Sequence, residues 1–430
     1  VNVLESLAPT LARAVVALLL GAAALDGFAP AAPRLIYAVA FARHGVRAPT
    51  WTMDRLRQWS AEDWPSFGVA PGELTLHGRE AIQKLAAYYR EWMTHEGLIG
   101  GGCADASHLF VRADKDQRTL ETAHAFAGAL LPGCTVPVHD GGADDPLFNP
   151  MGAGHVSADP EAIAGDARAK LGTEAARARL RDLKPAFAAL QHVLTNGAAA
   201  EHTLGEQGWD VTVNGTATGL ELAGPIATAS TLSEDLLLEF SNGFTGHDLG
   251  WGRIDEPTLL RILELHTTYA DFARRSPGIA KARGSNLLAH IVASMEQAAT
   301  GRAVAGAIDT PGTTVLLISG HDTNQSNLSG MLDLAWRLPG YQPDDTPPGG
   351  ALVFMLWRDP ASPELLVRLR YLAQTPVEMA QLTTLTLAHP PASVDVTVPA
   401  CQTEAVAGGC PWPAFAHLAQ RAVDPAFVVK

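Results

Sequence analysis

From Leu35 to Ala42 no position is charged: Leu35-Ile36-Tyr37-Ala38-Val39-Ala40-Phe41-Ala42. An apolar run this short and continuous predicts a strand covered on both faces. Thr313-Thr314-Val315-Leu316-Leu317-Ile318-Ser319, broken by Gly320, predicts a second buried strand, and His108–Ala113 another. Late strands follow at Ala351–Trp357 and Leu365–Tyr371, the latter alternating apolar residues with arginine as a half-exposed edge would. Elsewhere the period changes. Ile82, Leu85, Ala86, Tyr89 and Met93 recur at three- and four-residue steps, which predicts a helix from about Thr75 to Glu96, stopped by Gly97. A further helix runs from Leu120 to Leu131 and ends at Pro132-Gly133.

Strand and helix signals alternate at both ends of the chain and not in the middle. Ala162–Leu194, Ser233–Phe240, Thr258–Arg275 and Asn286–Thr300 are helical in spacing, interrupted only by a possible hairpin around Val211–Val213. The pattern predicts an α/β fold, a mixed sheet flanked by helices, built from residues 33–154 and 311–430. Residues 155–310 form an inserted, mainly helical domain. In open α/β sheets ligands bind beyond the C-terminal ends of strands. Three polar segments stand there: Arg43–Thr50, Asp114–Arg118 and Gly320–Asn324.

Composition narrows the partners. The chain has 430 residues, 47% hydrophobic, with a formal net charge of −14. That length exceeds what one core comfortably supports, and an acidic surface argues against nucleic acid and anionic membrane. A phosphate site here must therefore be a local cationic pocket in a negative field. The uncharged run Ala14–Leu25, preceded by Arg13 and followed by small residues, is too short to span a bilayer and has the size of a signal-peptide core. Residues 1–32 are accordingly read as signal peptide and leader, against the alternative of a buried N-terminal helix. The mature chain is then periplasmic or secreted. Four cysteines, Cys103, Cys134, Cys401 and Cys410, lack zinc-site spacing. They allow three pairings, of which the sequence-near one is simplest, and an even count beside an export signal favours disulfides over free thiols.

The chemistry lies in Arg43-His44-Gly45-Val46-Arg47-Ala48-Pro49-Thr50. A histidine between two guanidiniums at a buried strand's end crowds like charges, which is poor structure and useful chemistry. Arginines fork onto phosphate oxygens, and an imidazole between them is a nucleophile of suitable reach. Arg118 and His321 supply further donors, and Asp322 an acid for the leaving oxygen. The cationic neighbours should keep His44 neutral at acidic pH. Each residue alone has a plainer reading: a solvated basic turn, a surface salt bridge at Arg118, a helix cap at His321-Asp322. Their shared placement at strand ends favours the chemical one. No GxxxxGKS/T, HExxH or aspartate-rich cluster is present in the sequence, so nothing points to a nucleotide, metal or other cofactor.

The Arg43–Thr50 run resembles the RHGxRxP signature of the histidine acid phosphatases. Asp116-Gln117-Arg118-Thr119, Asp145–Pro150, Gly250–Ile254, His321-Asp322-Thr323-Asn324, Thr346–Gly350 and both cysteine pairs extend that resemblance over nearly the whole mature chain. It is similar to the bacterial periplasmic phytase and glucose-1-phosphatase branch. The resemblance implies that His44 becomes phosphorylated and that Asp322 protonates the leaving group. Arg43, Arg47, Arg118 and His321 would hold the phosphate, with Thr50, Asp114 and Thr323 in the same pocket. From the insert, Thr231, Glu234, His266 and Arg283 fall near family pocket positions. One departure stands out: a lysine commonly follows RHGVRAPT in these phytases, and here the residue is Trp51.

The expected activity is phosphomonoester hydrolysis of phytate, sugar phosphates or both by a monomer acting on small molecules. Three alternatives compete: a glucose-1-phosphatase with little phytase activity, a mutase-like phosphotransferase, and a non-catalytic phosphate-binding protein. The last would be expected to have lost His44 or Asp322.

Overall fold

The computed structural model describes residues 32–198, 200, 202–204, 212–216, 219–360, 364–401 and 408–429. The leader, apart from Ala32, lies outside them. The described residues form ten strands, β1 (Arg34–Arg43), β2 (Leu109–Ala113), β3 (Val138–His139), β4 (Thr212–Thr216), β5 (Gly219–Ala223), β6 (Val315–Gly320), β7 (Ala351–Arg358), β8 (Leu365–Ala373), β9 (Ala392–Val396) and β10 (Cys410–Pro411). Eight of them form a mixed sheet ordered β10-β8-β7-β1-β6-β2-β3, with β9 also paired to β8. β1, β6, β2 and β3 run parallel, and β7, β8, β9 and β10 join antiparallel.

β1 shows why its sequence is continuous rather than alternating. Tyr37, Val39 and Phe41 pack into one buried cluster with the helices that follow β5. Ala38, Ala40 and Ala42 pack into another with Ile82, Leu85, Tyr89 and Phe126, from helices Leu76–His95 and Gln117–Leu130. Each large apolar side chain buried this way contributes about 1.5–3 kcal/mol.

The arginine alternation of β8 does not mark an edge. β7 covers one side of this strand, and β9 and β10 share the other. The expectation of a half-exposed edge is corrected: the two short partners come from the C-terminal segment and have weak strand signals of their own.

Between β3 and β6 the chain is mostly helical. The stretch read as one pattern over 162–194 is three helices, Pro160–Leu171, Glu174–Asp182 and Lys184–Thr195. Thr173 caps the second by accepting from the Ala176 amide, and Pro185, which has no N–H, sits in the first turn of the third. The hairpin is β4–β5, while Val211 and residues 217–218 lie outside the described residues. Helices Pro225–Ser241, Glu256–Ala273 and Pro277–Thr300 all start earlier than their apolar periodicity indicates, each with proline in its first turn. Cys103 is bonded to Cys134 and Cys401 to Cys410. Among the described residues no helix is long and apolar enough to cross a membrane.

Candidate active site

Strand register brings the three polar segments to one level. Arg43 pairs with Gly320 and Ala113 with Ser319. The amide of His44 donates to Gly320 O at 3.0 Å, and that of Asp114 to Ser319 O at 3.0 Å. His44, Asp114 and His321 therefore leave the sheet side by side. Gly45 is required by packing: a Cβ there would stand 2.8 Å from Ile82 Cγ1. Its amide is held by Thr122 Oγ1 at 2.9 Å, which fixes the turn that aims His44.

His44 is 2% exposed. Its Nδ1 lies 2.9 Å from Gly45 O, so the proton sits on Nδ1 and Nε2 keeps its lone pair. Burial, then Arg43, Arg47, His321 and Arg118, hold its pKa well below the ordinary histidine value. The ring is neutral in the acid range, as a nucleophile must be.

Arg43 and Arg47 share one carboxylate. Glu234, from helix Pro225–Ser241, bonds Arg43 Nη2 through Oε1 and Arg47 Nη2 through Oε2, the latter at 3.2 Å. Arg43 Nη1 donates to Thr346 O at 2.6 Å and Arg47 Nη1 to Ala48 O at 3.0 Å. Glu234 is buried, which alone would favour its neutral form, but the two guanidiniums keep it ionised. Opposite them, Arg118 Nη2 lies 2.5 Å from Asp116 Oδ2 and 3.5 Å from His321 Nδ1. His321 Nε2 lies 2.6 Å from Asp114 Oδ2, and the His44 and His321 ring centroids are 5.6 Å apart.

Asp322 opens helix Asp322–Leu332, where the helix dipole favours a negative charge. Its Oδ1 accepts from the Thr323 amide at 2.8 Å and its Oδ2 from Arg274 Nη1 at 2.5 Å. Burial opposes ionisation, yet Arg274, Arg43 and His266 hold its pKa well below the usual carboxylate range.

A cavity of about 380 Å³ opens onto these groups. Of the residues singled out in the sequence, His44, Arg47, Thr50, Asp114, Arg118, Arg283, His321, Asp322 and Thr323 line it. Arg43, Glu234 and His266 do not line it and stand behind it: Arg43 is 1% exposed, and His266 Nδ1 lies 3.1 Å from Ser230 Oγ. Thr231 bonds only its own helix, to Ala227 O at 3.3 Å, and is not part of the wall. Trp51 is also off the wall, half-buried, with the Arg55 guanidinium 3.7 Å above its ring.

Lys115, Asp145, Phe148, Asn149 and Arg274 were not assigned roles by sequence reasoning. The first four line the cavity. Phe148 and Asn149 lie inside the Asp145–Pro150 motif, so their signal was present without a role. Nothing in the spacing of Arg274 marks it. The Glu234, His266 and Asp322 ligand atoms lie within 4.8 Å of one another. Three guanidiniums already bond the two carboxylates, so this cluster is hostile to a metal cation.

A strand-end histidine with a free Nε2, flanked by arginines and a helix-N-terminal His-Asp pair, forms a cationic pocket with the chemistry a phosphatase needs to hold a phosphate ester beside an imidazole. Residues 34–372 match the model of the histidine phosphatase superfamily (branch 2). The chain is 33% identical to phytase AppA of Escherichia coli over 93% of its own length and 95% of that protein's. It is 28% identical to the glucose-1-phosphatase of Salmonella typhimurium, covering 93% and 95% respectively. The Hafnia alvei phytase in complex with myo-inositol hexakis sulphate superposes with a TM-score of 0.84 at 32% identity, covering 94% of this chain and 100% of that one. The chain belongs to the histidine phosphatase superfamily, branch 2, and is a histidine acid phosphatase.

Proposed function

We propose that this protein is an exported, monomeric acid phosphomonoesterase that hydrolyses phytate and sugar phosphates through a phosphohistidine at His44. The observation that carries this reading is the hydrogen bond from His44 Nδ1 to Gly45 O. It leaves Nε2 unprotonated at the floor of a cavity lined by Arg47, Arg118 and Arg283.

In the first step His44 Nε2 attacks phosphorus in line, and the bond from phosphorus to the ester oxygen breaks. Arg47, Arg118 and His321 hold the three non-bridging oxygens, with Arg43 adding charge from behind. Asp322 gives its proton to the leaving alkoxide. In the second step Asp322, now a carboxylate, takes a proton from water as that water attacks phosphorus. Phosphate leaves and His44 returns to its neutral form. Asp322 is ionised in the free protein, so its proton arrives with the substrate monoanion. A phosphoryl dianion held beside Asp322 raises the carboxyl's proton affinity. The optimum is therefore acidic, and activity on sugar phosphates falls as the monoanion disappears above about pH 6.

Substrate breadth follows the relatives, one a phytase and one a glucose-1-phosphatase. The leader at 1–32 and the two disulfides support an oxidising, extracytoplasmic destination. The helices between β3 and β6 support the division into an α/β unit, 33–154 with 311–430, and an insert, 155–310. The test of the acid is Asp322→Asn. It should slow glucose 1-phosphate hydrolysis about 100-fold or more, in the range of a lost general acid. It should slow p-nitrophenyl phosphate, whose leaving group needs no proton, far less. Equal losses on both would remove Asp322 from this role. A phosphosugar acceptor assayed in parallel separates hydrolysis from mutase-like transfer.

A further inference from the structure

The two arginines that follow helix Glu256–Ala273 hold the helix bearing Asp322 at both ends. Arg275 Nη1 donates to Ser329 Oγ at 3.0 Å and Nη2 to Leu334 O at 2.8 Å. Arg274 takes the other end. Its Nη1 donates to Asp322 Oδ2 at 2.5 Å, and its own carbonyl accepts from Asn327 Nδ2 at 2.8 Å. Its guanidinium also lies 5.9 Å from the Tyr269 ring centroid. Arg274 is thus fixed at main chain and side chain before any substrate enters.

Its location decides what it does. Arg283, from the next helix, lines the cavity, with a buried Nε that has no hydrogen-bond partner. Arg274 does not line it. It reaches Asp322 from outside the phosphate space, so it acts through Asp322 and not on substrate.

We propose that Arg274 is the positioning residue of the proton-donating step, holding the Asp322 side chain in one orientation through its direct bond to the carboxylate. The proposal rests on the reading of Asp322 as the acid. Other groups facing Asp322 are Arg43 from β1, Arg118 from helix Gln117–Leu130, Glu234 from helix Pro225–Ser241, His266 from helix Glu256–Ala273, and Arg283 from helix Pro277–Thr300, with Tyr371 on β8. Among the described cations, only Arg274 bonds the carboxylate directly. By making Asp322 a stronger acid, Arg274 favours release of the proton to a poor leaving group.

The test compares the wild type with Arg274→Gln, Arg274→Lys and Asp322→Asn on glucose 1-phosphate and p-nitrophenyl phosphate from pH 3 to 8. Arg274→Gln should lower kcat for glucose 1-phosphate at least 5-fold at pH 4. It should also move the alkaline limb of kcat for that substrate, which reports the Asp322 proton in the enzyme–substrate complex, upward by at least half a pH unit. The p-nitrophenyl phosphate rate should change less than 2-fold. Arg274→Lys, which keeps a cation in reach, should recover most of both effects. Losses equal on the two substrates, or a limb that stays in place in Arg274→Gln, would overturn the proposal. If Asp322→Asn still discriminates between leaving groups in that event, the acid reading stands and only the role of Arg274 is lost. Should Asp322→Asn slow both substrates equally, both readings fall together.

Discussion

His44 occupies a place where protonation is costly from every direction: it is buried, and two arginines, a further histidine and Arg118 all oppose a positive ring. The same crowding that makes the motif odd as structure keeps it nucleophilic in acid. These residues were legible because their chemistry is written in adjacent letters, Arg43–Thr50 and His321–Asn324. Arg274 was not legible, since it meets Asp322 across 48 positions by a tertiary contact alone. Trp51 is a further case. The indole carries Arg55 over its face and stands off the cavity wall. A lysine there would add a rim cation for a polyanionic ester, worth about 0.5–1 kcal/mol if solvated. Trp51→Lys is expected to raise kcat/KM for phytate several-fold more than for glucose 1-phosphate. Loss of phytate turnover with the smaller substrate retained would instead identify Trp51 as a packing or stacking residue.

Among the elements, helix Pro225–Ser241 carries three buried carboxyl groups, Glu234, Asp235 and Glu239. Glu234 compensates Arg43 and Arg47, but the adjacent Asp235 is buried with neither oxygen hydrogen-bonded. Burial pushes Asp235 up to about 8, only partly offset by Arg47. In the unfolded chain an aspartate ionises near pH 3.9. Between those values the folded protein retains a proton that the unfolded chain releases, so this group makes stability fall as pH rises from about 4 to about 8. Above that range its contribution is constant. Asp235→Asn removes the slope: its Tm advantage over wild type should grow steadily across the window, as thermal melts at pH 4, 6 and 8 would show. A constant difference would mean that Asp235 does not retain its proton. The helix itself was only half legible, because Pro225 and the small residues after it carry no apolar period. The breaks inside 162–194 were hidden for the opposite reason: alanine and leucine keep helical spacing across Thr173 and Pro185.

At the scale of the whole molecule, the existence of the central strands was legible from their apolar runs, but their order in the sheet was not. β1, β2 and β6 announce themselves, and parallel pairing puts their C-terminal ends together. β9 and β10 are short and partly polar, so the true position of β8 inside the sheet required the tertiary structure. The two disulfides close short loops, one between β2's flanking segments at 103–134 and one near the C-terminus at 401–410. A bond of this kind contributes about 2–4 kcal/mol. Replacing Cys103 and Cys134 together by serine is expected to lower the unfolding free energy by that order, read as a lower denaturant midpoint at unchanged m, and to leave kcat unchanged at 25 °C. Non-reducing peptide maps should show the pairs 103–134 and 401–410, and free thiols throughout an exported preparation would contradict them.

The proposed hydrolysis turns on a covalent bond from His44 to phosphorus. Its most direct measurement is rapid quenching of a phosphorus-labelled substrate during turnover, followed by peptide mapping. Label should appear on the peptide containing His44, survive an alkaline quench and be lost in acid, as expected of phosphohistidine. It should vanish in His44→Ala, along with turnover of every substrate. Substantial activity in that variant, or label carried by any other residue, would contradict the account.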